Sequence, residues 1–337
     1  MGAGTSWVRR IAAYQAVVRA WPDGAVLACS GGVDSSALLM LAGVAVSRGD
    51  LNRFPVVYVD HLTRPESASD GNAVEALAMR FGLPSIRTIV RSSDVDDGTS
   101  SPEDRLRQLR YAALARVAHE HNTRAIVTAH TRDDQVETVL MRLLSGSGGL
   151  ALAGMLPVSF LSTAAGDIEV HRPLLDISRS ELVEVLERAG VEPRIDATNR
   201  DPAYRRNRLR HEVVPVLSDV YPGFDNALLR AGKIASRDAA ALDRLATATA
   251  EECVTQRDGS VCIDRAKLRL LDPAIASRVI RLAAASLMPE NHRELTFERI
   301  ESVRAAVTGR AGAVIELPYG INARIERAEV VLERRNQ

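Results

Sequence analysis

The hexapeptide Ser30-Gly31-Gly32-Val33-Asp34-Ser35 gathers hydroxyls, two glycines and a carboxylate between a short apolar run at 25–29 and a longer one at 37–46. Strand, glycine turn and helix start in that order bind phosphate. Backbone N–H groups point at the anion, and the helix dipole adds roughly half a positive charge there. The two glycines permit close approach and positive φ. Ser35 and Ser36 add hydroxyl donors, and Asp34 is a hard oxygen ligand for Mg2+. This is not a Walker A loop, whose lysine reaches the β- and γ-phosphates, because no lysine precedes Lys233.

A second constellation runs from Thr128 to Thr138 and contains His130, Asp133, Asp134 and Glu137. Asp134 and Glu137, three residues apart, share one face of a helix. Carboxylates and an imidazole at a strand end suit Mg2+, a cationic substrate or proton transfer. Taken alone, capping by Asp133 with solvent-facing acids is the commoner outcome; a phosphate loop in the same sheet tips the reading towards a site. Upstream lie Arg105, Arg107, Arg110 and Tyr111. A guanidinium at a strand-end crevice clamps phosphate bidentately, and Arg110, beside Tyr111, is the best placed. The third constellation holds Tyr204 and the five arginines Arg200, Arg205, Arg206, Arg208 and Arg210 against one acid, Asp201. Basic density with an interleaved aromatic suits an RNA backbone and an unstacked base, although a charged helix surface is the ordinary outcome for such a run. The overall charge is zero, which makes the local excess more telling than the total.

These residues need a frame that brings strand ends together. Strands are expected at 25–29, 56–60, 85–90 and 125–129, and helices at 35–46, 69–80, 103–120 and 133–144. The alternation gives βαβ units, hence an α/β fold with a doubly wound, mostly parallel, Rossmann-like sheet. Ligands of such sheets sit beyond the carboxyl ends of the strands, where residues 30–35, Asp60-His61 and 130–134 all fall. Residues 92–102 are polar and aperiodic, as in a lid. A short strand is expected at 168–170. Ser178 and Glu181 form a capping box that starts a helix over 179–189, closed by Gly190. From about residue 223 the pattern turns to Ala/Leu-rich helices, at 228–250 and 274–287, with strands at 313–317 and 322–325 around a Pro318-Tyr319-Gly320 turn. The boundary is placed near Pro222, giving domains 1–222 and 223–337, the second mainly helical.

Composition bounds the class. A 46% hydrophobic and 26% charged chain is globular, its apolar runs are too short to span a bilayer, and no signal-peptide core opens it. Cytoplasm is the default location. Cys29, Cys253 and Cys262 are scattered, with no metal-ligand spacing.

The SGGxDS loop resembles that of the PP-loop N-type ATP pyrophosphatases. Residues 30–35, Arg107 to Tyr111, His130 to Gly149, Arg172 to Leu175 and Asn199 to His211, in that order, resemble the tRNA(Ile)-lysidine synthetase family over about residues 20–220. The run from Asp133 to Thr138 together with the later Arg205–His211 segment is the more specific part. The resemblance implies an ATP- and Mg2+-dependent ligase. It would adenylate the C2 oxygen of the wobble cytidine in the CAU anticodon of a minor tRNA(Ile). Free L-lysine would then displace AMP to give lysidine. It implies ATP contacts from Ser30, Gly31, Gly32, Val33, Asp34, Ser35, His61, Arg110 and His130, with Asp34 on Mg2+. Catalysis falls to Asp34, Asp134 and Glu137, and the lysine site to Asp134 and Glu137. Contacts to tRNA fall to Tyr204, Arg205, Arg206, Arg208 and Arg210. Family members often carry a second histidine where this chain has Thr131, so no role is carried over there. The rival readings are a tRNA thiolase, which would want paired cysteines; a small-molecule adenylating ligase, which would not need the arginine run; and an inactive RNA-binding module. Oligomeric state, a homodimer included, is left open.

Overall fold

The computed structural model describes residues 6–60, 67–90, 102–193, 205–288 and 295–335. The expected lid at 92–102, all but its last residue, lies outside the described residues, as do His61, Asn199, Arg200 and Tyr204. The chain divides into two compact units, Met1–Gly232 and Lys233–Gln337.

In the first unit, a 3-10 turn and α1 (Ala12–Ala20) lead into β1 (Val26–Ala28), α2 (Val33–Arg48), β2 (Val56–Asp60), α3 (Ser67–Arg80), β3 (Ser85–Ile89), α4 (Pro102–Glu120), β4 (Ala125–Val127) and α5 (Arg132–Leu144). A hairpin follows, β5 (Val158–Thr163) and β6 (Gly166–His171), then α6 (Arg179–Ala189) and α7 (Arg205–Arg208). A π-helical turn (Leu209–Val213) leads into α8 (Val214–Val220), and α9 (Phe224–Cys253) carries the chain past the unit boundary. The sheet order is β3-β2-β1-β4-β6-β5. Every pairing is parallel except that of β5 with β6.

The short central strands form because they are apolar on both faces. Val26, Leu27, Ile126 and Val127 are fully buried, as strands covered by helices on both sides must be. Helix α2 is buried along Ala37–Ala45 and lies among α1, α3 and α6. The connections run β1 to β2 to β3 on one side and jump to β4 on the other, so the topological switch point lies between β1 and β4. Ligands of such sheets sit beyond the carboxyl ends at that point, and the two chemically richest segments begin there.

Strand β5 escapes the sequence because Val158-Ser-Phe-Leu-Ser-Thr163 does not alternate cleanly, and Phe160 points to solvent. It is an edge strand, shaped by pairing with β6 rather than by burial.

The second unit adds β7 (Val254–Arg257), β8 (Ser260–Asp264), α10 (Arg265–Leu270), α11 (Pro273–Ala285), α12 (Phe297–Val307), β9 (Val314–Leu317), β10 (Ile321–Ile325) and β11 (Glu329–Arg334). Its sheet, β7-β8-β11-β10-β9, is antiparallel throughout. Helices α11 and α12 pack Val279, Ile280 and Val303 against Ile263, Ile321, Ile325 and Val330. Sequence reasoning finds β9 and β10 around their Tyr319-Gly320 turn, where both residues take positive φ. It misses β8 and β11, whose polar ends mask short apolar centres, and β7, a largely exposed Val-Thr-Gln-Arg strand with no apolar centre at all. Arg265 is buried and donates to the carbonyls of Val307 and Glu326 at 2.9 and 2.8 Å and to that of Gly309.

Candidate active site

The chain leaves β1 and turns through Gly31 at φ +82°, a backbone conformation that strains any residue with a side chain, although a Cβ there would meet only ordinary contacts with Val74 and the Asp70 carbonyl. Gly32 differs from expectation. Its φ of −71° is ordinary, and it is the N-cap of α2 with no side-chain cap. The first N–H groups of α2 thus have no capping side chain and suit an anion. The serines shape this cradle. Ser35 Oγ donates to the Gly32 carbonyl at 3.1 Å and lies 3.2 Å from both Ser30 N and Ser30 Oγ, while Ser36 Oγ donates to the Gly31 carbonyl at 3.1 Å. Val33 opens α2, and Asp34 follows it.

Asp34 Oδ2 accepts a bond from Arg179 Nη1 at 3.0 Å, whereas Oδ1 is buried with no hydrogen-bond partner. Burial pushes this carboxyl up to about 6, against the pull of Arg179 and with a push from Asp134. An orphaned carboxylate oxygen beside a phosphate cradle has the donor chemistry that Mg2+ takes. Among the described residues no three His, Cys, Asp or Glu side chains converge on a metal site. The ion would therefore be held by Asp34 together with nucleotide phosphates, the usual way Mg2+ is bound.

At the carboxyl end of β4, Thr131 caps α5 through a capping box in which Asp134 is the reciprocal residue. Asp134 Oδ2 accepts the Thr131 N–H at 2.9 Å and its hydroxyl at 3.1 Å. One oxygen of Asp134 thus fixes the helix start, and Oδ1 faces away from the cap. Glu137, one turn on, is only 2% exposed. Two guanidiniums cover the pair, each bridging both acids. Arg206 donates Nε to Glu137 Oε2 at 2.7 Å and Nη2 to Asp134 Oδ1 at 3.1 Å. Arg210 donates Nε to Glu137 Oε1 and Nη2 to Asp134 Oδ1 at 3.1 Å. Burial raises the Asp134 carboxyl, but Arg206, the Thr131 amide and Arg210 outweigh it, and the net shift is downward.

Packing explains this placement. Leu209 is buried against Val136 and Leu140 of α5, together with Phe224, Leu228 and Leu229 of α9. That seats α7 and the π-helical turn on α5, and the flanking Arg206 and Arg210 meet the acids. Arg132 reinforces the seat with bonds to Asp225 and to Asn226 Oδ1. Arg205 and Arg208 are exposed instead, and Arg208 pairs with Glu212 at 3.1 Å.

His130 Nδ1 lies 2.9 Å from Thr128 Oγ1. Burial drives its pKa down to about 3; Asp134 opposes the shift, and Arg172, Arg110 and Arg107 reinforce it. The imidazole is neutral near pH 7. Arg107 and Arg110 both lie over the buried Tyr111 ring, 5.0 and 5.6 Å from its centroid. Asp60 is buried and ion-paired with Arg87.

Sequence reasoning missed Arg179. Its N–H donates to Asp133 Oδ2 at 2.8 Å, so Asp133 anchors the start of α6. The capping box at Ser178 signalled a helix, but nothing local signals that its first residue meets a carboxylate 145 positions away.

An uncapped helix start behind a glycine turn, at the switch point of a parallel sheet and beside a buried acid pair, defines a nucleotide-binding protein of the PP-loop class. The PP-loop domain family model matches residues 8–217. The chain is 36% identical over 326 residues to the tRNA(Ile)-lysidine synthase of Thermobifida fusca (strain YX), covering 95% of each chain. It is 37% identical over 299 residues to that of Salinispora arenicola (strain CNS-205), covering 88% of this chain and 86% of the relative. Against the synthase of Dehalococcoides mccartyi (strain CBDB1) it is 32% identical, covering 92% of this chain and 66% of that longer relative. The chain belongs to the tRNA(Ile)-lysidine synthase family. Among solved structures, the U34-tRNA thiolase NcsA from Methanococcus maripaludis shares the fold, with TM-score 0.51 and 15% identity over 67% of this chain and 78% of that one. Among the described residues, no helix is long and apolar enough to cross a membrane.

Proposed function

We propose that this protein is an ATP-dependent ligase that joins free L-lysine to C2 of the wobble cytidine in the CAU anticodon of tRNA(Ile), through an adenylated cytidine, releasing AMP and pyrophosphate. The observation that carries the reading is the convergence of the phosphate loop and the acid-bearing helix, where Arg179 bonds Asp34 through its side chain at 3.0 Å and Asp133 through its N–H at 2.8 Å.

A cytosine carbonyl oxygen is a poor leaving group, and adenylation makes it part of a good one. The loop N–H groups and the start of α2 hold the pyrophosphate end of ATP, stabilising charge as it develops there. Asp34 would hold Mg2+ together with the phosphates, and the ion would there supply Lewis-acid neutralisation of that charge. Arg110 and neutral His130 contact the nucleotide. In the second step lysine must attack as a free amine. Its ε-ammonium titrates near 10.4, so deprotonation near pH 7 costs roughly 4–5 kcal/mol. Asp134 and Glu137 hold the ammonium, and one of the two carboxylates accepts its proton. Their oxygens are the ones that Arg206 and Arg210 engage, so the incoming amine exchanges with guanidinium. Arg205 and Arg208 contact anticodon-loop phosphates, joined by Arg206 and Arg210 when these leave the acids.

The test is product analysis with α-labelled ATP, Mg2+, lysine and a tRNA(Ile) transcript. AMP, pyrophosphate and lysine-modified RNA should form, and modification should require every component. Formation of ADP, or AMP release indifferent to RNA and lysine, would refute the reading.

A further inference from the structure

We propose that Arg179 contacts phosphate, receiving the pyrophosphate end of the bound nucleoside triphosphate alongside the start of α2. The inference rests on the ATP chemistry proposed above and adds a residue to it.

Four observations carry it. Arg179 Nη1 is 3.0 Å from Asp34 Oδ2, and Asp34 is the second residue of the helix whose start forms the phosphate cradle. The other oxygen of that carboxylate is the buried, unpartnered one suited to a cation. Phosphates bridged by such a cation fall within reach of a guanidinium that already touches its ligand.

The backbone of Arg179 is fixed. The Ser178–Glu181 capping box starts α6, with Ser178 N donating to Glu181 Oε2 at 2.9 Å, and Asp133 Oδ2 holds the Arg179 N–H at 2.8 Å. Leu182, Val185 and Leu186 of α6 pack in one core with Leu38 and Leu41 of α2. A rigid element thus presents a side chain that is itself 34% exposed, which is how a site holds a group accurately while letting it pivot.

Charge balance asks for a cation here. Pyrophosphate departs with several negative charges, while a helix start offers roughly half a positive one. The first unit contains no lysine, so the cationic side chain must be an arginine or a histidine. Arg206 and Arg210 engage Asp134 and Glu137, and Arg107 and Arg110 lie over Tyr111, whereas Arg179 bonds a residue of the phosphate-loop helix itself.

The chemistry suits the fork. As the RNA oxygen bonds to the α-phosphorus, the bond from that phosphorus to the bridging oxygen breaks, and the electron pair stays on pyrophosphate. A guanidinium meets that growing charge with two parallel N–H donors. The competing account is a purely structural ion pair that pins α6 to α2.

Binding separates the two. Isothermal titration of wild type, Arg179→Ala and Arg179→Lys with inorganic pyrophosphate and with AMP, in the presence of Mg2+, reads the site without turnover. We expect Arg179→Ala to bind pyrophosphate at least tenfold more weakly and AMP within about twofold of wild type, with Arg179→Lys between the two for pyrophosphate. Unchanged pyrophosphate affinity in Arg179→Ala, or equal loss for both ligands in a protein whose unfolding midpoint matches wild type, would overturn the inference. Should the alanine variant misfold, Arg179→Gln keeps the packed stem, and the same comparison decides. Failure of wild type itself to bind pyrophosphate would instead count against the ATP chemistry.

Discussion

Asp34 is held where a carboxylate is costly, and the cost has a sign that can be measured. Its folded value near 6 lies above the ordinary 3.8, so the fold prefers the protonated form. The contribution of this group is fully present below about pH 4 and is lost as pH rises through 6. At pH 7.5 the deficit is about 3 kcal/mol at 1.36 per unit. Asp34→Asn should therefore unfold at higher denaturant concentration than wild type at pH 7.5, by up to that amount, and the gap should close at pH 4. The same variant should form no AMP. His130 carries the opposite dependence. Its half-buried imidazole is held neutral, so the unfolded chain binds the extra proton, and stability falls as pH drops below about 6.5 by up to roughly 1.4 kcal/mol per unit. His130→Gln should flatten that slope in denaturant titrations run from pH 7 to pH 5. Glu137→Gln should slow lysine transfer more than adenylation in single-turnover assays, because its charge is needed only when the ammonium arrives. Equal losses in both half-reactions would remove that role.

At the scale of elements, the arginine-rich segment does two jobs on two faces. Arg206 and Arg210 turn inward to the acids, while Arg205 and Arg208 stay in solvent. Replacing Arg205 and Arg208 together with alanine should weaken tRNA binding and reduce the slope of log K against log salt by about 1.4, at roughly 0.7 per single-strand phosphate contact. An unchanged slope would discard the outward face as an RNA contact. This division was invisible in the sequence, where the five arginines read as one basic patch. The signals that did survive were local ones. The βα alternation gave four strands and four helices close to their observed bounds, because each needs only its own apolar run. The capping box at Ser178 gave α6 to the residue. What failed was non-local. Strand β5 depends on β6, β7 and β8 depend on each other and on β11, and Arg179 acquires its meaning from Asp34 on another helix. The second capping box, Thr131 with Asp134, is readable in principle, but reading Asp134 as a site acid alone misses that one of its oxygens serves the helix.

Across the whole molecule, the two units are built on different rules. The first is a layered parallel sheet with its site at a switch point. The second is an antiparallel sheet covered by α11 and α12, and Arg265 stands in for missing backbone pairing by gathering three carbonyls. Arg265→Leu should leave those carbonyls unsatisfied and lower stability by about 3 kcal/mol, at roughly 1–3 for each orphaned group with partial relief by water. A thermal midpoint equal to wild type would show that the guanidinium is dispensable.

The distribution of lysine has a further chemical meaning. A reaction that generates an activated pyrimidine next to a bound amine is exposed to capture by any other amine nearby. The unit that houses the crevice has no ε-amine of its own; the chain's two are Lys233 and Lys267. An electrophile formed by the proposed chemistry meets no side-chain ε-amine belonging to that unit.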